Sequence, residues 1–206
     1  MLPLFIIAGC SSVLTKVSER IIVDNSGCNT IALTGANVIP MVSDKVLINR
    51  TVIIKDGFIQ SMGESSEAKV PEDAFLIDAR GKYLLPGLVD MHVHISDDND
   101  LLLLLSHGVT TVRNMSDLPG WVKTFMGFSD VLSLRRKVRE GKIVGPDIYS
   151  TGLVLDGSPP VSPFNKEVST PEEIEEEIKR QKKAGYGYIK IYDMLTPECN
   201  GCGNGL

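Results

Sequence analysis

The sequence predicts an α/β protein in which a small all-β layer precedes a series of alternating strand and helix units. Three observations carry that expectation. Between Thr30 and Arg80 the chain is a succession of short segments rich in branched residues and separated by turn signals. From Gly81 onward, apolar runs of strand length alternate with stretches whose apolar residues recur at helical spacing. The 206 residues are 43% hydrophobic and 23% charged, an ordinary globular balance that can bury a core. The organisation read from these patterns is a leader over 1–10, a tether over 11–29, a small β domain over 30–80, strand-helix units over 81–198 and an atypical tail over 199–206.

The β domain is expected to hold strands over Ile31–Val38, Val46–Lys55, Phe58–Met62 and Phe75–Ala79, with Asp56-Gly57 joining the second and third as a primed hairpin that needs positive φ. Pro86-Gly87 breaks the chain ahead of Leu88–Val93, a short apolar strand whose alternation puts Asp90, His92 and His94 on one face. Ser96–Asp100 offers helix caps before Leu101–Leu105, Gly108 closes that helix, and Gly108–Met115 reads as the second strand of the series. His107 sits at the helix end and takes no metal role. Asp117–Gly127 reads as a loop with the only tryptophan, Trp121, which either lines a substrate pocket or caps the core.

A helix over Ser129–Glu140 follows, with Val131, Leu134 and Val138 on one face and Gly141 as its stop. Asp147–Leu155 reads as the third strand and Asp156–Pro160 as a loop by composition. Thr170-Pro171-Glu172-Glu173 combines an N-cap, a proline at the first helical position and a capping-box glutamate. The helix it starts faces Ile174 and Ile178 inward and pairs Glu175 with Lys179 and Glu176 with Arg180 on a solvated face, ending at Gly185. Tyr188–Tyr192, YIKIY, supplies the fourth strand, with Tyr188, Lys190 and Tyr192 on one side and two isoleucines on the other.

Two imidazoles one strand-step apart suit a divalent ion such as zinc, although a bare His-x-His also describes a pair of hydrogen-bonded core histidines. Lys190, if its neighbouring isoleucines pack against helices, must shift its pKa or find a partner; pairing with Asp193 or reaching solvent are the plain alternatives. With a net charge of −5 nothing points to nucleic acid as a partner, which would want a basic face.

Residues 81–94, GKYLLPGLVDMHVH, together with Ile77–Gly81 and Gly108–Arg113, resemble the signature with which the amidohydrolase superfamily enters its barrel, as in its imidazolonepropionase-like and prolidase-like metal-dependent hydrolases. The resemblance runs from about Thr30 to Glu198. It implies a partial (β/α)8 TIM-type barrel of about the first four βα units, preceded by a small β-sandwich-like domain. It also implies hydrolysis of an amide, peptide or cyclic amide bond in a small-molecule or peptide substrate, with a divalent metal, zinc first. On the same resemblance His92 and His94 are metal ligands, and Lys190 reacts with carbon dioxide to give a carbamate bridging two ions; Trp121 and Tyr192 are substrate-pocket candidates. Two such ions lower the proton affinity of a water and polarise the carbonyl it attacks. The family's histidines on the fifth and sixth strands, and the proton-handling aspartate ending the eighth, have no counterpart in this sequence, so no catalytic residue is assigned. The expectation is therefore a truncated chain, inactive in isolation and prone to oligomerise or aggregate through unpaired strand edges. The alternative is a non-catalytic, membrane-tethered lipoprotein fragment with a binding or structural role.

The two ends complete the picture. Met1–Ala8 is an apolar run shorter than the roughly 20 residues that span a bilayer, and Ile7-Ala8-Gly9-Cys10 resembles the bacterial lipobox. That resemblance implies lipidation of Cys10, export and a lipid anchor in the bacterial cell envelope, with Ser11 favouring the outer membrane facing the periplasm. No Lys or Arg precedes the run, as a secretory signal normally requires, so a mis-assigned start is the competing reading. Cys199-x-x-Cys202 lacks the second half of a zinc ribbon and reads as incidental, and Cys28 has no evident partner.

Overall fold

The structure, a computed structural model, describes residues 4–7 and 29–195; Cys10, Cys28, Cys199 and Cys202, with the stretch 11–28 and the tail, lie outside the described residues. The chain divides into two compact units, Met1–Leu88 with Ser106–Thr110, and Val89–Leu105 with Thr111–Leu206. Its class is mixed α/β, as the sequence predicts.

The first unit is one six-stranded sheet. Its strands are β1 (Leu4–Ile7), β2 (Thr30–Val38), β3 (Leu47–Lys55), β4 (Phe58–Glu64), β5 (Phe75–Asp78) and β6 (Tyr83–Pro86), in the order β1-β6-β2-β3-β4 with β5 also pairing β2. β2, β3 and β4 run antiparallel, whereas β5 and β6 lie parallel to β2. Asp56 and Gly57 take φ values of 50° and 79°, the primed turn their identities predict. The pairing of β2 with β3 shifts register on either side of Ala36; Gly35, beside it, has φ 76°, and a Cβ there would stand 2.5 Å from Arg80 Cγ. Leu33, Ala36, Val38, Val52, Ala79 and Leu84 form the core. Leu4–Ile7, within the stretch read as a leader, pairs antiparallel with β6 and takes up hydrogen-bonding groups at that strand's edge.

The second unit carries a three-stranded sheet in the order β7 (Leu88–Val93), β8 (Val109–Asn114), β9 (Asp147–Ser150), with β8 and β9 parallel. Helix α1 (Asp98–Ser106) connects β7 to β8, and α2 (Gly120–Met126) and α3 (Val131–Arg139) connect β8 to β9. After β10 (Leu155–Asp156) and β11 (Lys166–Glu167) comes α4 (Pro171–Ala184). Its capping box closes: Thr170 Oγ1 accepts the Glu173 N–H, and Glu173 Oε2 reaches back to the Ser169 N–H at 2.7 Å. Leu155, Val168, Ile174, Ile178 and Leu195 pack as the core beneath it. Among the described residues no helix is long and apolar enough to cross a membrane.

Three expectations need correction here. The loop over Asp117–Gly127 contains α2, which Pro119 precedes and Gly127 ends with φ 72°. The third strand stops at Ser150, and the fourth is reduced to two isolated parallel bridges, Thr151 with Tyr188 and Leu155 with Ile191. The reason lies in α4, whose outer face is not wholly solvated. Glu177 and Gln181 are buried, and Gln181 takes the backbone groups a longer ladder would use, accepting from Gly152 N–H at 3.2 Å and donating to Leu153 C=O at 2.9 Å. Arg180 accordingly pairs with Glu177 at 2.6 Å instead of Glu176, whereas Glu175 and Lys179 pair as predicted.

Candidate functional site

All of the predicted metal ligands fall in the second unit and line one cavity. β7 delivers His92, and His94 follows directly on its end; the two rings stand 5.5 Å apart between centroids, inclined at 62°. Asp90 Oδ1 accepts the His92 backbone N–H at 3.0 Å. The cavity has a volume of about 190 Å³ and is walled by His92, His94, Ser116, Asp117, Lys190 and Tyr192, with Phe164 and Asn165 from the loop after β10.

Lys190 reaches it by a different route from the one the alternation suggests. Only Ile189 packs against the core, while Ile191 is 50% exposed. What fixes the segment is the fully buried Leu155, which donates its N–H to Lys190 C=O and accepts from the Tyr192 N–H, both at 2.9 Å. The Lys190 ammonium then lies 5.4 Å from the Tyr192 ring centroid.

Electrostatics divide the cavity wall. Burial, then the positive charges of His92 and Lys190, hold His94 below the usual histidine range, which favours the neutral ring with a lone pair to offer. Asp117, the carboxylate in the wall, is already engaged. Its Oδ2 accepts from Lys123 Nζ at 2.9 Å and from the Tyr186 hydroxyl in a short hydrogen bond, and its Oδ1 accepts the Leu118 N–H. Burial opposes the charge on Lys123, but Asp117 and Asp130 overrule it and raise its pKa. Burial and the bond to Asp117 likewise push the Tyr186 phenol well above its usual value. Among the described residues no three His, Cys, Asp or Glu side chains converge on one point.

Tyr192 lines the cavity. Trp121 does not, nor does it cap a core: it lies on α2, 68% exposed, with its ring edge-on to Phe164 at 6.1 Å. Sequence reasoning missed Ser116, whose Oγ stands 3.0 Å from His94 Nδ1, as well as Asp117 and Asn165. It also missed Asp156, read as a loop residue by composition. That side chain is fully buried and accepts from Gly157, Val161 and Met194 N–H and from Asn165 Nδ2, so it anchors the loop that carries Phe164 and Asn165.

No protein-family model matches the chain. An enamidase from Eubacterium barkeri is 28% identical over 127 residues, which are 56% of this chain and 33% of the enamidase. A dihydroorotase from Anaeromyxobacter dehalogenans is 44% identical over 48 residues, 23% of this chain and 11% of that protein. The chain thus spans a third or less of the length of these curated relatives. Among solved structures, a suspected prolidase from Bifidobacterium longum superposes with a TM-score of 0.67 at 26% identity, covering 82% of this chain and 42% of that one. With the His-x-His strand at the head of the second unit, the chain is thus similar, in both sequence and fold, to proteins of the amidohydrolase superfamily.

Proposed function

We propose that the protein is a metal-dependent hydrolase of carbon–nitrogen bonds, to which this chain contributes His92, His94 and Lys190 as ligands of a divalent-metal centre, zinc first. The observation that carries the reading is that these three side chains, from two separate segments, wall one cavity. The donor set fits a cation. His94 is held toward the neutral form that can ligate, and the carboxylate beside it, Asp117, is turned into its bonds with Lys123 and Tyr186. His92 and Lys190 both disfavour a positive charge on His94. Converting Lys190 to a carbamate resolves this: its unprotonated Nζ attacks the carbon of carbon dioxide, an N–C bond forms, and one proton leaves to solvent. The product is an anion with two oxygens, suited to bridging a pair of ions.

A divalent cation bound here lowers the proton affinity of water and polarises a carbonyl. The chain's own residues do the rest. Tyr192 and Phe164 give apolar walls, Asn165 offers an amide donor and acceptor, and Ser116 holds the His94 ring. The cavity is below the roughly 300 Å³ of a drug-sized pocket, so a small molecule or the end of a peptide, bearing an amide or cyclic amide, is the substrate class it suits.

Zinc content of the full chain after dialysis tests the reading. The wild type retains zinc, whereas His92→Ala and His94→Ala each lose it. A protein that takes up no zinc, or takes up as much with both histidines replaced, overturns the proposal. We also propose a lipid-anchored location in the bacterial cell envelope, supported by the lipobox-like run ending at Cys10; radiolabelled palmitate is incorporated by the wild type and not by Cys10→Ala.

A further inference from the structure

We infer that Ser116 is a positioning residue for this centre, its hydroxyl fixing the His94 ring in the orientation and tautomer that leave Nε2 to face a cation. The inference rests on the metal-centre reading above and adds to it a residue outside the ligand set. Ser116 Oγ lies 3.0 Å from His94 Nδ1. A hydroxyl can donate or accept, but only when Nδ1 carries the proton and donates it to Ser116 is the lone pair of Nε2 free for a metal. The opposite tautomer carries its proton on Nε2, which then has no lone pair to offer a cation.

Ser116 is held in that place from several sides. The Asn114 side chain, 1% exposed, accepts the Ile95 N–H at 2.9 Å with Oδ1 and donates to the Ser116 carbonyl at 2.7 Å with Nδ2. One buried amide therefore clamps the residue after His94 to the residue that bonds the His94 ring. A third bond, from Asn114 Nδ2 to Ser150 Oγ at 3.1 Å, ties the clamp to the end of β9. On either side of Ser116, Met115 N–H donates to Val93 C=O and Asp117 N–H to Gly152 C=O, both at 2.9 Å. The serine is thus fixed relative to His94 by backbone and side-chain bonds from three strand ends, which is how a ligand-orienting partner is built and not how a solvated loop serine is placed.

The test uses the full chain as wild type, Ser116→Ala, Ser116→Thr and His94→Ala. Zinc affinity is measured by competition with a chromophoric chelator, and the ring tautomer of His94 by nitrogen-15 NMR of the zinc-free protein. Ser116→Ala is expected to bind zinc about 10- to 100-fold more weakly and to lose the Nδ1–H tautomer, while Ser116→Thr, which keeps the hydroxyl, stays within about threefold of wild type. If Ser116→Ala keeps both the affinity and the tautomer while His94→Ala loses zinc, the inference is wrong and the metal centre stands. If His94→Ala also keeps its zinc, the metal-centre reading itself falls.

Discussion

Replacing Asp156 with asparagine asks whether one buried carboxylate holds the cavity's far wall. Its Oδ1 accepts the Gly157 and Met194 N–H groups at 3.1 and 3.3 Å, and its Oδ2 accepts the Val161 N–H and Asn165 Nδ2 at 2.7 and 2.8 Å. An asparagine can present oxygen to one pair only. It keeps the shorter pair and turns its NH₂ toward Gly157 and Met194, so that two donors face a donor. Bonds to a charged acceptor are worth about 1.5–3 kcal/mol each, and the two being lost are the longer ones, so the expected destabilisation is about 2–4 kcal/mol. Trp121 is the only tryptophan and sits against Phe164 in the loop that Asp156 anchors, so its fluorescence in a urea titration reports this unit. With a slope of about 2 kcal/mol per molar urea, the midpoint drops by about 1–2 M. The pH dependence has a definite sign. Burial opposes the charge, but Asn165, Val161, Met194 and Gly157 together overrule it and lower the pKa. The ionised form therefore contributes stability that is present above the unfolded value of about 4 and is lost as pH falls through the lower folded-state value. The asparagine variant has no such titration, and the gap between the two proteins narrows in acid. A midpoint change below about 0.3 M at neutral pH, or a gap that holds or widens in acid, refutes the reasoning.

Other perturbations probe neighbouring contacts. A methyl group added by Gly157→Ala would collide with the Met194 backbone carbonyl, and the expected cost is about 1–3 kcal/mol or more, seen as a lower midpoint in the same titration. Tyr186→Phe removes the hydroxyl that donates to Asp117, at a cost of about 1–2 kcal/mol in thermal or urea unfolding. Because burial and Asp117 raise the Tyr186 pKa, the wild type carries stability that is whole below the unfolded value of about 10 and is lost as pH rises through the higher folded value. Melting curves taken from neutral to strongly alkaline pH should show that decline in the wild type and its absence in the phenylalanine variant. Carbon-13 bicarbonate should give a carbamate signal in the wild type that Lys190→Arg lacks, and the variant should bind less zinc than the wild type in the same dialysis.

Much of the fold is legible because its signals are local. Asp56-Gly57, the Thr170–Glu173 cap and the glycine stops each depend on residues within one turn, and each forms where the sequence puts it. The misreadings share a cause that is not local. Glu177 and Gln181 sit in a charge run that looks solvated, yet they are buried: Gln181 partners Gly152 and Leu153, 29 and 28 residues away, and Glu177 accepts from Gln181. Only once the third and fourth segments are side by side does α4 acquire a polar inner edge, and that edge is what cuts the strands short.

The site divides along the same line. His92 and His94 are visible because a period of two on one strand is enough to place them together. Ser116 is invisible, since nothing in a run of Asn-Met-Ser-Asp marks the one residue that will meet a ring 22 positions earlier. Lys190 is the instructive case, because strand alternation places it against the histidines only through a ladder, and that ladder is barely there. Its neighbours make two bridges, one isoleucine of the pair is half-exposed, and Leu155 exchanges backbone bonds with both Lys190 and Tyr192. The facing of Lys190 therefore depends on the burial of Leu155 among Val168, Ile174, Ile178 and Leu195, two steps removed from any charge. By that argument a cavity at Leu155, as in Leu155→Ala, moves the lysine as well as costing about 2–5 kcal/mol of core packing. Zinc uptake should then fall together with stability, whereas a core truncation elsewhere, such as Leu33→Ala in the first unit's sheet, lowers stability and leaves the lysine where it is.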